Sequence, residues 1–391
     1  MEGGNRKVHP MLQQTTITAL FLLAGLTKTV HAEEIGVTPR SILLGQSAAF
    51  SGPSGELGRE YRQGAHLVFD HVNAQGGIHG RQVVMVYRDD QYNPELTLNN
   101  TKKFINKDKV FALFGYLGTP TVKASLPLID QSKIPLIAPL TGAQIIRSPM
   151  KKNVFNIRAS YHQEIKAIVS YLIRYGRQSI AIAYQNDSFG RDGLEGLKKA
   201  LAKHQLKPVV ETTVERNSSN TSDAARKVAL ARPDAVLVVS SYGTVSSFIS
   251  QLRQFGSNAQ VLTVSFVGSN ALARSLPKEL RHGIGISQVV PFPWDRRTPV
   301  VRDYQNKISK LKPDIPYSFV GLEGYIAASM LVQALQKAGP DLTRKRFITA
   351  VESLGTVDLG GYKVTFGPRQ RNGSDIVHLT FLVGRDGSFI N

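Results

Sequence analysis

Cysteine is absent from all 391 residues. That excludes a disulfide scaffold, thiolate metal sites, a cysteine nucleophile and lipid attachment through an N-terminal cysteine. Tryptophan occurs once, and aromatic residues make up only 8% of the chain, with no ladder of the kind that stacks on single-stranded nucleic acid. Beyond the N-terminus no apolar run is long enough to cross a membrane. No Pro/Gly/Ser-rich linker divides the chain, and no repeat of solenoid period runs through it. The common catalytic motifs are missing as well: there is no Gly-x-Ser-x-Gly elbow, no His-Glu-x-x-His and no Walker loop. Gly283-Ile284-Gly285 lacks the third glycine of a dinucleotide fingerprint. The nine histidines place no ligand-spaced pair on one predicted helix face. The residues therefore point away from an enzyme, a cofactor and a metal site.

What is present is long enough for two cores, and an apolar share of 42% is ordinary for a globular protein. The N-terminus has the layout of an export signal: basic Arg6, Lys7 and His9, an apolar stretch over residues 17–26, and Val30-His31-Ala32 as a small-residue cleavage pattern. Cleavage is expected after Ala32, giving an exported, soluble periplasmic protein; a start at Met11 would remove the basic region. Residues 1–32 hold three Lys or Arg and one Glu, so their removal lowers the net charge from +19 to +17. The basic residues are scattered over amphipathic segments without a long run, which argues against nucleic acid as the partner.

The chain is organised around residues 109–141. Residues 110–114 form a short, continuous apolar run, suited to a strand buried on both faces of a parallel sheet. Gly115 and Gly118 loosen the backbone, Thr119 stands where a helix cap belongs, and Pro120 suits the first helical position. A second buried strand, residues 136–138, ends in Pro139-Leu140-Thr141-Gly142. Two hydroxyls and the free amides of a helix start are thus expected to converge, a ready place to hold a carboxylate. Open α/β sheets bind ligands at the carboxyl ends of their strands.

Strands and helices alternate along the rest. Strands are expected over residues 41–49, 82–87, 180–183, 209–214, 235–239 and 284–290, with helices between them, which implies parallel sheets. Helices are expected over 161–175, 300–311, 319–338 and 347–353, and a closing hairpin-like pair over 362–366 and 377–383. Tyr242 follows the strand ending at Val239, in Ser240-Ser241-Tyr242-Gly243-Thr244, and can stack on a ligand or line a rim. Asp89-Asp90 reads as a solvated strand end, and Trp294, between prolines, as packing between lobes.

An ordered series of motifs carries a resemblance. It comprises Phe50-Ser51-Gly52-Pro53 with Gly58, the stretch from Asn73 to Arg81 around Gly76-Gly77, Asp89-Asp90 with Pro94, and Val154-Phe155-Asn156-Ile157-Arg158. Phe189-Gly190 with Gly193-Leu194 and Pro233-Asp234-Ala235-Val236 follow. The chain resembles the type I periplasmic solute-binding proteins, in the family of the leucine/isoleucine/valine-binding proteins, collinearly over nearly all of residues 35–384. The resemblance implies an α/β fold of two Rossmann-like lobes joined by three crossovers, with residues 33–158 plus 286–340 as lobe I and 159–285 plus 341–391 as lobe II. It implies a monomer that closes over a small carboxylate-bearing solute and delivers it to a membrane ABC permease. The rival role is a sensory partner of a membrane receptor.

Carried over position by position, Thr119 falls on the hydroxyl position after the third strand, and Leu140 and Thr141 on the backbone and hydroxyl contacts after the fourth. Phe189 falls on the second lobe's tyrosine position, while Gly118 beside Thr119 and Tyr242 after its strand are candidate ligand contacts from the residues alone. Leu57 and Phe189 stand where the family has tyrosines. Ser265 falls near the acid that meets an amino acid's ammonium, so Glu56, Glu323 or Asp187 would have to supply that charge. Without one of them the resemblance implies an organic acid rather than a branched-chain amino acid. Tyr92 and Gly118 occupy two positions that relatives join by a disulfide.

Overall fold

The computed structural model describes residues 1–5, 7, 34–384 and 386–391. The apolar segment 17–26, the cleavage pattern at 30–32 and Met11 lie outside the described residues. The described residues of the unit Met1–Glu33 are all exposed, and Glu34–Asn391 form a second unit.

The second unit begins with β1 (Ser41–Ala48), α1 (Gly55–Ala74), β2 (Gln82–Asp89), α2 (Pro94–Asn106), β3 (Ala112–Phe114), α3 (Thr119–Ser132), β4 (Leu136–Ile137) and β5 (Val154–Phe155). The five strands form one parallel sheet in the order β2-β1-β3-β4-β5. All three residues of β3 are buried, as a central parallel strand covered on both faces requires. Asn93 caps α2 through its side chain, and Pro94, which has no N–H to lose, opens the helix.

The chain continues through α4 (Tyr161–Arg174), β6 (Ile180–Gln185), α5 (Ser188–Ala202), β7 (Glu211–Val214), α6 (Ser222–Ala231), β8 (Ala235–Val239), α7 (Tyr242–Gln254), β9 (Gln260–Thr263), α8 (Ser269–Ser275) and β10 (Ile284–Gln288). It ends with α9 (Pro299–Leu311), α10 (Phe319–Ala338), α11 (Arg344–Glu352), β11 (Gly355–Asp358), β12 (Lys363–Phe366), β13 (His378–Val383) and β14 (Ser388–Ile390). The second sheet runs β14-β13-β10-β9-β8-β6-β7. Its core is parallel, but β13 adds to β10 antiparallel and β14 to β13 likewise.

The expected hairpin between residues 362–366 and 377–383 does not form. β12 folds back on β11 through Gly360-Gly361, both at φ +88°, while β13 is drawn to the free edge of β10. A long loop between two apolar runs leaves each free to find a better edge, and both do.

α10 is buried on nearly every side and lies directly on α1. The crossing is tight because it is lined with glycine: a Cβ on Gly64 would meet the Gly321 carbonyl, and one on Gly324 the Tyr61 carbonyl. This close crossing carries Glu323 into the interior beside Tyr61. α11 packs on α10, and its Phe347 meets Phe111 at 5.6 Å, just ahead of β3.

Candidate functional site

The carboxyl ends of β3 and β4 lie side by side, and a Leu117–Leu140 bridge extends their pairing past the strands. α3 starts at Thr119 itself, so the cap is Gly118, one residue earlier than expected, and Pro120 is the second helical residue. Thr119 and Thr141 do converge. Their hydroxyls are 2.7 Å apart, and both residues are buried. The backbone of Leu140 ties the two turns together. Its N–H donates to the Tyr116 carbonyl at 2.7 Å and its carbonyl accepts from Gly118 N–H at 3.2 Å, so the bridge uses both groups. Gly118 sits at φ +91°, and a Cβ there would run into the Tyr92 ring. Ring over glycine thus occupies the two positions where the resemblance implies a disulfide in relatives.

Facing this turn is an aromatic cluster. Tyr161 and Phe189 have ring centroids 5.0 Å apart, Phe189 and Phe266 4.8 Å, and Phe266 and Tyr92 5.6 Å. All four are buried, and Tyr92 comes from the body of the first sheet. The Tyr161 hydroxyl is near enough to Thr141 to be influenced by it, yet makes no hydrogen bond of good geometry; burial raises its pKa to about 12.

Behind the rings lies an ionic centre. Arg158 is fully buried, pairs with Glu164 at 3.1 Å and with Glu323 at 3.4 Å, and also donates to the Ser265 hydroxyl. Glu164 further accepts from Ser265 N–H at 2.8 Å and from the Ser287 hydroxyl at 2.6 Å. Among the described residues Glu323 has only its longer contacts to Arg158, so burial wins over attraction and lifts its pKa to about 7. Ser265 therefore faces a fixed cation rather than standing open. Local pattern singled out neither Arg158 nor Glu164 as a site residue. The available signal was an arginine among Val154-Phe155-Asn156-Ile157 and an acid on the apolar stripe of the following helix, since buried charges occur in pairs.

The remaining acids are also occupied. Glu56 pairs with Arg274, which contacts Glu60 at 3.0 Å as well. Asp187 caps α5 by accepting from Phe189 N–H at 2.9 Å, accepts from the Gln185 amide at 2.6 Å and meets Arg216 at 3.4 Å. Tyr242 opens α7, half-buried and close to Glu56. Asp90 is not a solvated strand end: it is fully buried and accepts from Ser47 and Thr97 hydroxyls at 2.7 and 3.0 Å. Trp294 is 38% exposed and stacks on Phe389, with Phe292 and Phe319 beside it. No metal-binding group of His, Cys, Asp or Glu occurs among the described residues.

Two hydroxyls thus meet at neighbouring strand ends of the first sheet, beside aromatic rings carried by the second half of the chain. Residues 41–382 match the periplasmic binding protein family. The chain belongs to this family. It is a periplasmic solute-binding protein of the Leu/Ile/Val-binding type with two lobes. It is similar to a possible leucine/isoleucine/valine-binding protein from Rhodopirellula baltica, with 34% identity, coverage of 92% of this chain and 98% of that one, and a TM-score of 0.85. It is 23% identical to Leu/Ile/Val-binding protein homolog 7 of Brucella abortus over 87% of each chain. An R. palustris solute-binding protein solved with benzoate has the same fold at 21% identity, with coverage of 90% and 95% and a TM-score of 0.78.

In this periplasmic binding protein the lobes touch across the cleft. Leu57 lies against Gly268, the Ser54 hydroxyl donates to Asn217 at 3.2 Å, and Asn217 donates to the Gln91 carbonyl at 3.3 Å. Arg274 and its two glutamates close the same side. Among the described residues no helix is long and apolar enough to cross a membrane.

Proposed function

We propose that the protein is the solute-binding component of an ABC transporter, exported after cleavage at Ala32, and that it captures a small organic acid lacking an α-ammonium for a membrane permease. One observation carries the ligand class: Glu56, Glu323 and Asp187, the acids that could supply the counter-charge, each already have a partner, as do Glu60 and Glu164 beside them. Glu56 and Glu60 meet Arg274, Glu164 and Glu323 meet Arg158, and Asp187 is held by Gln185, Arg216 and a helix amide. A ligand ammonium would enter a buried site with none of these acids free as counter-charge, at a cost of several kcal/mol. A carboxylate instead meets the Thr119 and Thr141 hydroxyls at the start of α3, where the helix dipole favours an anion.

In this reading Gly118 lets the turn pass under Tyr92, Leu140 holds the two strand ends together, and Phe189 with Tyr161 and Phe266 walls an apolar or aromatic body. Tyr242 and Glu56 belong to the rim, and Ser265 fixes Arg158. Lobe I then comprises the first sheet with α9 and α10, and lobe II the second sheet; α11, expected in lobe II with residues 341–391, packs on α10 and is assigned here to lobe I, which puts the crossovers near residues 156–160, 289–299 and 367–377. The test is thermal unfolding with benzoate and isovalerate against leucine, isoleucine and valine. A ligand at 100 times its Kd stabilises by about 2.7 kcal/mol. A shift with the amino acids and none with the acids overturns the ligand class.

The same reading predicts the effect of the hydroxyls. Thr119→Val and Thr141→Val are each expected to weaken binding of the acid by about 1–2 kcal/mol, between the net value of a neutral hydrogen bond and that of one to a charged group. Isothermal calorimetry reads this directly, and unchanged affinity in the double variant removes these residues from the site.

A further inference from the structure

A polar cavity lies where residues 144–148, the start of α4 and the returning segment 370–375 meet. It encloses about 470 Å³ and is lined by Gln144, Arg147, Ser148, Gln163, Asn372 and Asp375, among others. Two crossing segments run side by side here, joined by an Asn156–Asn372 bridge and by Gly373 N–H donating to the Asn156 carbonyl at 2.7 Å. The cavity thus touches the end of lobe I, the start of α4 and the returning C-terminal segment together.

Arg147 is the unusual member. It is 7% exposed, yet among the described residues no carboxylate lies within ion-pair distance of it, whereas neighbouring Arg158 holds two. Its Nη1 donates to Asn372 Oδ1 at 3.1 Å, its Nη2 reaches the Thr141 and Ala159 carbonyls only at 3.5 and 3.4 Å, and its Nε has no partner. Glu164 and Asp192 attract it from beyond contact, and Arg158 repels it. Asp192 spends one oxygen on both the Gln144 N–H at 3.0 Å and His162 at 3.8 Å, and its other oxygen is buried without a hydrogen-bond partner but lies beyond ion-pair distance of Arg147. Asp375 is exposed on the cavity's edge. A buried guanidinium without an anion is costly, and a cavity beside it lined with hydroxyls and amides offers a place for one.

We propose that this cavity binds a small oxyanion, held by Arg147 with donors from Ser148, Gln144 and Gln163. The site is separate from the cleft but touches it, because the Arg147 guanidinium reaches the carbonyl of Thr141. An anion here ties lobe I to two of the crossovers and so bears on how readily the lobes part.

The experiment uses the whole mature protein and follows unfolding temperature while inorganic phosphate or sulfate is titrated against chloride at constant ionic strength. The wild type is expected to show a saturable stabilisation by phosphate. Arg147→Gln should weaken it by roughly tenfold or more, the effect of losing charge-assisted hydrogen bonds. Ser148→Asp alters an exposed residue on the cavity, so it should keep the fold and also abolish the response; it decides the matter if Arg147→Gln does not fold. Thr119→Val with Thr141→Val should keep the phosphate response in full. No saturable effect in the wild type, an undiminished effect in Ser148→Asp or a well-folded Arg147→Gln, or loss of the effect in the threonine variant each overturns this site. The last result would move the anion to the cleft and leave the carboxylate reading standing.

Discussion

Arg158→Met is expected to destabilise the protein by about 3–5 kcal/mol, the cost of removing one partner from a buried ionic group. The loss is not that of two attractions alone. Glu164 keeps Ser265 N–H and the Ser287 hydroxyl, but Glu323 loses the only hydrogen-bond donor it has among the described residues while 4% exposed. The same reasoning gives the control. Arg158→Met combined with Glu164→Gln and Glu323→Gln removes the unpaired acids and should recover most of the stability, because a neutral, well-packed set is often as stable as a buried ionic one. Urea unfolding at pH 7 reads both, with similar m values if the folded and unfolded states keep their compactness. A single variant within 1 kcal/mol of wild type would mean that Arg158 does not hold the two acids together. For function the centre matters because it occupies with a cation the place where an amino-acid binder needs a free acid.

Much of the fold was legible from local pattern. Buried runs such as Ala235–Val239 could only be interior strands, and the apolar helix Phe319–Ala338 emerges with the expected ends. Thr119 and Thr141 were also legible, since each closes a buried strand and neighbouring parallel strands finish on the same edge. What stayed hidden depends on partners far apart in the chain. Glu56 meets Arg274 across 218 residues, Glu323 meets Arg158 across 165, and Ser265 meets Arg158 across 107. No local periodicity reports which acid a cation will choose, so the availability of Glu56 or Glu323 for a ligand could not be read from sequence. The β12 and β13 pairing failed for the same reason: strand identity is local, but the edge a strand joins is not.

Two buried carboxyls also set a pH dependence. Burial raises Glu323 to about 7 and Asp90 to about 6, against 4.5 and 3.8 for the free groups. In each case the folded protein holds a proton that the unfolded chain releases at lower pH, so the stabilisation is complete below the unfolded value and is lost as pH rises through the folded one. The window is thus about pH 4.5–7 for Glu323 and 3.8–6 for Asp90. Asp89 is lowered, chiefly because Ser51 and backbone N–H groups offset its burial, and works in the opposite sense, but it is largely exposed and its share is small. Glutamine copies the protonated form of Glu323 at every pH. Glu323→Gln should therefore match wild type near pH 4.5 and gain on it by about 3 kcal/mol by pH 8. Asp90→Asn should gain over the lower window in the same way. Urea unfolding at half-unit steps of pH gives the difference curves. A difference between Glu323→Gln and wild type that stays constant from pH 4.5 to 8 would show that Glu323 is ionised throughout, with Arg158 outweighing burial.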